Sequence, residues 1–233
     1  MASSDKIVRL NPDAHTDVAR QRRMLLLERQ HRIKTLLLHV RAIAQTTYEA
    51  SDDIERFYEI FEARLQCINR VHVLMGPTDS AISLRELLSE ELLAHAMHME
   101  HFVEVSGPEI LIEQRVAPAI ALAFHELLVN AIEVGTSAKG TGHIVVRWRI
   151  QVRNGEDYLI LEWSEDRFAL EHSIETDGFS PGLIQQMLPH IIGGSSRVES
   201  VHEGLRCVLE IPLRDAMRRV SEMPIPILPT RTS

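Results

Sequence analysis

The spacing of apolar residues predicts two parts of different architecture. An all-α helical hairpin, pairing with a second copy into a dimeric four-helix bundle, precedes an α+β two-layer sandwich. Three observations lead there. Helical periodicity runs through residues 17–75, broken only by the short connector Glu49-Ala50-Ser51-Asp52-Asp53. Gly76-Pro77-Thr78-Asp79 then reads as a turn and a domain boundary. Beyond it a two-residue alternation emerges, clearest at Ile144, Val146, Trp148 and Ile150, as in strands covered by helices on one face.

Residues 1–18 are polar, with the turn signal Asn11-Pro12-Asp13, and predict a disordered lead-in. The first helix runs from Asp17 to Thr47, with Leu26, Ile33, Leu37, Val40 and Ala44 on the face expected to be buried. Ser51 or Asp52 supplies an N-cap for a second helix from Asp53 to Met75, where Ile54, Phe57, Phe61, Leu65, Ile68, His72 and Met75 keep a near-heptad rhythm. This hairpin, residues 19–76, leaves much apolar surface uncovered, so a homodimer through residues 20–75 is expected. The second domain, residues 80–215, opens with a helix from Ser83 to Met99 led by the capping box Ser83 and Glu86. A strand from His101 to Ser106, the turn Gly107-Pro108 and a helix from Gln114 to Val134 follow. Strands are expected at His143 to Val152, Tyr158 to Ser164 and Leu205 to Leu213, with a short helix from Pro181 to Met187. The proline-bearing tail, residues 223–233, predicts disorder.

Composition narrows the function. Of 233 residues, 45% are apolar and only 5% aromatic, so aliphatic side chains must fill most of the core. The formal charge of −8, without a basic patch, argues against a nucleic-acid partner. Cys67 and Cys207 stand far apart without CxxC spacing, which points to neither a disulfide framework nor a zinc site and fits a reduced, cytoplasmic setting. No signal-peptide pattern occurs and no apolar run approaches the roughly 18 residues of a membrane span. Among the histidines, His95, His98 and His101 form a close cluster, but no carboxylate or cysteine set completes a metal site around them.

Two stretches carry chemistry. In Glu28-Arg29-Gln30-His31-Arg32-Ile33-Lys34-Thr35, His31 falls roughly 140° from the centre of the apolar face, beside Leu27 and Leu38, which leaves its imidazole open to solvent. That place equally suits an ordinary edge histidine. The flanking groups favour more: Glu28, one turn earlier, can hold the ring, while Arg32 and Lys34 can meet the charge of an incoming phosphoryl group. In His125-Glu126-Leu127-Leu128-Val129-Asn130, Glu126 and Asn130 are four apart and share a helix face. A carboxylate and an amide oxygen so placed can position a magnesium ion and orient a nucleophile beside a triphosphate; a merely solvated face has the same spacing.

The order of these motifs resembles the HWE group of bacterial histidine kinases. The His31 helix, the hairpin, His-Glu-x-x-x-Asn, the strand ending Leu161-Glu162-Trp163-Ser164-Glu165 and then Gly178-Phe179 follow one another as in that group, from about Leu25 to Leu213. By this resemblance His31 is the phosphoacceptor, His125 the histidine of the N box, and Trp163 and Glu165 the remaining letters of the group's name. Gly193-Gly194 and Glu203-Gly204-Leu205 match its final turn and strand. The resemblance implies a sandwich of the GHKL, or histidine-kinase ATPase, type. It implies Mg-ATP contacts at His125, Glu126, Asn130, Trp163, Glu165, Gly178 and Gly182, with Asn130 on magnesium. It also implies phosphoryl transfer from His31 to an aspartate of a response-regulator receiver domain.

Several departures fall on the nucleotide site. Asp166-Arg167 replaces a glycine pair, the later Gly-x-Gly becomes Gly178-Phe179-Ser180 followed by Pro181, and Glu133 stands where the group has a lysine. Each change has a physical cost: lost backbone approach, a lost N–H donor, or repulsion of phosphates. Only a short polar stretch precedes the first helix, so a sensor-less protein is expected. A histidine phosphotransferase acting between receiver domains therefore ranks first, followed by an HWE kinase that autophosphorylates with Mg-ATP. A non-catalytic module that binds a regulator is the third reading.

Overall fold

The computed structural model describes residues 12–76, 81–98, 102–138, 142–166, 184, 193–201, 204–213 and 217–219. Two helices come first. Helix α1 is Pro12–Glu49 and α2 is Ile54–Met75. The chain divides into two compact units, Met1–Arg41 and Ala42–Ser233, so the division falls within α1. In the first unit Leu26, Ile33 and Leu37, expected to be buried, are all exposed, Leu37 by 64%. Among the described residues of this unit the single helical segment has no second element to pack against, and periodicity alone does not create one.

The capping group of α2 is Asp53, not Ser51 or Asp52. Its carboxylate accepts the Arg56 N–H at 2.7 Å. The Ser51 hydroxyl instead donates back to the Thr47 carbonyl at 2.7 Å and closes the end of α1. The buried stripe of α2 is Arg64, Cys67, Ile68, Val71 and Met75, which keeps the heptad spacing and shares Ile68 and Met75 with the expected face. Ile54 lies outside it and is exposed, whereas a charged residue lies inside.

Helix α3, Leu84–His95, continues into a 3₁₀ turn at Ala96–His98. No capping box forms at its start. Ser83 ends the short strand β1, Ala81–Ser83, and its hydroxyl donates to Glu109 at 2.8 Å. Helix α4, Ala117–Ala138, begins three residues later than expected and is buried nearly all round, from Ala117 through Ala131. Strand β1 pairs with β3, Ile110–Glu113, which pairs in turn with β8, Met217–Arg219. Strands of three or four residues are too short to show a period, which is why this small sheet is not legible in the sequence.

The larger sheet contains β2, Phe102–Ser106; β4, His143–Arg153; β5, Glu156–Asp166; β6, Ser195–Val201; and β7, Gly204–Pro212. Among the described residues its order is β2-β4-β5-β7-β6, with β2 and β4 parallel and the other pairs antiparallel. Asn154 and Gly155, both at positive φ, make the tight β4–β5 turn. One face stacks Val146, Trp163 and Cys207 in register, flanked by Trp148, Leu161 and Leu209. All six are buried. The opposite face carries cross-strand ion pairs, Arg149 with Glu162 and Arg153 with Glu210. Strand β6 reads Ser195-Ser196-Arg197-Val198-Glu199, with too few apolar positions to announce an edge strand. Of the helix expected at Pro181 to Met187, only Ile184 is described; it is helical and buried.

Trp148 closes the turn between β2 and β3. Its indole N–H donates to the Pro108 carbonyl at 2.8 Å, and Arg85 lies 5.2 Å from the ring while donating to the carbonyls of Val105 and Gly107. A Cβ at Gly107 would run into the indole ring. Gly107→Ala is therefore expected to destabilise the fold by about 1–3 kcal/mol, read from the midpoint of urea unfolding at unchanged slope. A variant as stable as the parent would show that the ring is free to move aside.

Candidate functional site

Helix α4 presents successive polar side chains to two different neighbours. Glu126 meets Arg64 of α2 through a bidentate pair, with N–H···O distances of 2.8 and 2.6 Å. Arg64 also donates to the Thr47 hydroxyl at 2.7 Å, and that hydroxyl donates to the Ile43 carbonyl at 2.6 Å. The Arg64 side chain is 3% exposed and that of Glu126 12%. Paired donors and acceptors make this burial tolerable, since a lone buried charge would cost several kcal/mol.

One residue earlier on α4, His125 turns to α3. Its Nδ1 lies 3.5 Å from Glu91 Oε2 and 3.0 Å from His95 Nε2. Glu91 is gripped from α2 by Arg70, at 3.0 and 2.7 Å. Burial by itself would raise the Glu91 carboxyl, but the hydrogen bonds from His125 and Arg70 outweigh it and hold the group below the usual carboxylate range. Cys67, on α2 beside this cluster, has its thiol pushed well up, first by burial and then by the Glu91 charge. Cys207, on the sheet, is pushed up to about 12 by burial.

Asn130, one turn beyond Glu126, is only 5% exposed, and its Nδ2 has no hydrogen-bond partner within the fold. A merely solvated helix face is thereby excluded at this position. Trp163 is fully buried with its ring edge-on to Phe124 of α4, centroids 5.5 Å apart, and Glu165 is buried on the same strand. Glu133, expected to set an uncompensated negative charge, is paired with Arg56 at 3.1 Å. On α1, Lys34 is exposed; Glu28, His31 and Arg32 share that helix, but their side chains lie outside the described residues. Gly178 and Gly182 also lie outside them.

The structure thus joins His125, Glu126 and Asn130 on one helix, with Trp163 packed behind it. Sequence reasoning missed Thr47, Arg64, Cys67, Arg70, Glu91 and His95. A signal existed for two of these: Arg64 occupies an apolar-stripe position of α2, and Glu91 does so on α3 beside Leu84, Leu87 and Leu88. Charged residues in such positions are rarely buried unless paired.

Residues 28–109 match the family model described as HWE histidine kinase. That stretch, about a third of the chain, is similar to the HWE histidine kinases. Similar proteins include the blue-light-activated histidine kinases of Brucella ovis and Brucella abortus, each 27% identical over 176 residues. That of Brucella anthropi is 24% identical over 179 residues. The Brucella ovis alignment covers 75% of this chain and 36% of the relative, so this chain spans about a third of the length of the curated relatives it matches. Among solved structures, the histidine kinase domain of the Erythrobacter litoralis EL346 blue-light activated kinase is similar with a TM-score of 0.49 and 17% identity, covering 87% of this chain and 95% of that one. No helix among the described residues is long and apolar enough to cross a membrane.

Two outcomes are expected of the buried pairs. Arg64→Ala leaves the Glu126 carboxylate without its partner and should destabilise the protein by about 3 kcal/mol, the low end for a broken buried pair because Glu126 reaches some solvent. Urea unfolding at neutral pH measures it, and a loss below about 1 kcal/mol would mean that the pair contributes little. Glu91 has a depressed folded value, so its contribution is present above the ordinary carboxylate range and is lost as pH falls from about 4.3 toward that lower value. Glu91→Gln should flatten this acid limb of stability against pH; an unchanged limb would assign it to other carboxylates.

Proposed function

We propose that this chain is a histidine kinase that accepts a phosphoryl group on His31 from Mg-ATP and passes it to an aspartate of a response-regulator receiver domain. In this reading residues 19–76 carry phosphotransfer and dimerisation, and residues 80–215 bind nucleotide. One observation carries most of the weight: the family match begins at Glu28, and so takes in His31 with Glu28, Arg32 and Lys34. The relatives named above as kinases support autophosphorylation over transfer between receivers.

The residues of α4 fit the cofactor. A buried amide nitrogen without a partner is costly, and Asn130 carries one a single turn from Glu126. Its amide oxygen is a hard donor of the kind magnesium takes. When bound, Mg-ATP supplies the phosphoryl group and the charge compensation for its transfer. Asn130 would hold the metal, and Glu126 would serve as the general base. His125 and Glu165, at the family's N-box and Trp-x-Glu positions, would support the nucleotide wall that Trp163 backs, with Gly178 and Gly182 at its backbone approaches. Arg64 limits the base: both Glu126 oxygens are engaged, so one must be released before it can take a proton.

That same engagement supports a second reading, a phosphotransferase in which His31 is charged by a phosphorylated receiver and Glu126 has only a structural role. Incubation with radiolabelled Mg-ATP, alone and then beside a labelled receiver, separates the two. Label from ATP that is lost in His31→Ala and Asn130→Ala is expected for the kinase; label arriving only from the receiver would favour the phosphotransferase. Light scattering is expected to give twice the 26.5 kDa chain mass at micromolar concentration, through the exposed row Leu26, Ile33 and Leu37. His31→Ala should remain dimeric, whereas Leu37→Glu should become a monomer. A monomeric parent would remove the dimer from this reading.

A further inference from the structure

Cys67, Glu91 and His125 come from three helices and meet at one point, with His95 beside His125. Cys67 Sγ, a Glu91 carboxylate oxygen and a His125 ring nitrogen all lie within 4.8 Å of one another, and all three residues are buried. His95 Nε2 reaches the same His125 Nδ1 at 3.0 Å, and Glu91 and His95 are four apart on α3, hence on one face. We propose that these four side chains form a structural site for a divalent transition metal of the zinc class, tying α2, α3 and α4 together.

The donor chemistry selects the metal. One thiolate, two imidazoles and one carboxylate make a set that zinc takes in tetrahedral geometry, while magnesium and calcium want oxygen alone. Neighbouring donors on a tetrahedral zinc stand roughly 3.3–3.8 Å apart, from bond lengths of about 2.0–2.3 Å. The contacts of His125 with His95 and with Glu91, at 3.0 and 3.5 Å, already lie near that spacing. Among Cys67, Glu91 and His125, closing the widest pair requires a shift of about 1 Å at most, and His95 follows by moving with its contact to His125. Arg70 does not oppose the site. Each carboxylate oxygen has two lone pairs, so the bidentate Arg70 grip leaves one on Oε2 for the metal, and ligating carboxylates are ordinarily hydrogen-bonded from outside in this way.

The proton count closes. The Cys67 S–H bond breaks as the metal–sulfur bond forms, and its proton leaves to the buffer. His125 coordinates through Nδ1 as the neutral tautomer with its proton on Nε2, and His95 coordinates through Nε2. One proton is released per metal ion.

Tag-free full-length protein, stripped with chelator, is titrated with zinc against a chromophoric competitor and separately with cobalt(II). Expected are one zinc per chain and a cobalt spectrum with a thiolate charge-transfer band and tetrahedral d–d bands. Cys67→Ala and His95→Ala should each lose affinity by about 100-fold or more, while Cys207→Ala keeps it. Unchanged far-UV circular dichroism shows that the variants fold. Zinc held equally by Cys67→Ala would overturn the assignment, and so would a parent that binds none. If the variants unfold, the parent's cobalt spectrum decides alone: without a thiolate band, Cys67 is not a ligand and the site does not exist.

Discussion

Two buried guanidinium–carboxylate clamps hold the second unit together, Arg64 with Glu126 and Arg70 with Glu91. Both arginines belong to α2, and their partners sit on α4 and α3. A bidentate fork is directional, so two of them six residues apart fix the rotation of α2 as well as its distance. Apolar burial through Cys67, Ile68, Val71 and Met75 would tolerate some rotation; the forks would not. Helix α4 is thereby held between α2 and α3 with its polar turn presented in one orientation.

That orientation decides which polar groups of α4 remain available. His125 is committed to Glu91 and His95, and Glu126 to Arg64, which leaves the Asn130 amide nitrogen as the unsatisfied group of the turn. The sheet serves the same end from behind. Trp163 fills the space against Phe124, in register with Val146 and Cys207, so α4 cannot sink toward the strands. Glu133, paired with Arg56, shows how the charge changes read from the sequence are balanced by residues remote along the chain.

Helix existence, strand existence for the long β4, β5 and β7, and the His-Glu-x-x-x-Asn turn were legible because each depends on local periodicity over several residues. The Asp53 cap and the missing Ser83 capping box were not. In each case the side chain met a partner that spacing does not encode, the Arg56 N–H for Asp53 and the Glu109 carboxylate for Ser83. Strands β1, β3 and β8 were too short for a pattern, and β6 too polar. The apolar face of α1 is legible as a pattern, but a pattern states what a face wants and not what covers it.

By itself the sequence determined the helical and extended segments, the position of His31 in α1, and the resemblance to the HWE histidine kinases, since these follow from residue order and period. Only the tertiary structure decided that Arg64 and Glu91 are core residues, that Cys67, Glu91 and His125 converge, and that Asn130 is buried with an unsatisfied amide. The physical reason is the same throughout. A buried charge or amide takes its character from the partner it meets, and those partners lie tens of residues away on helices whose relative rotation only packing sets.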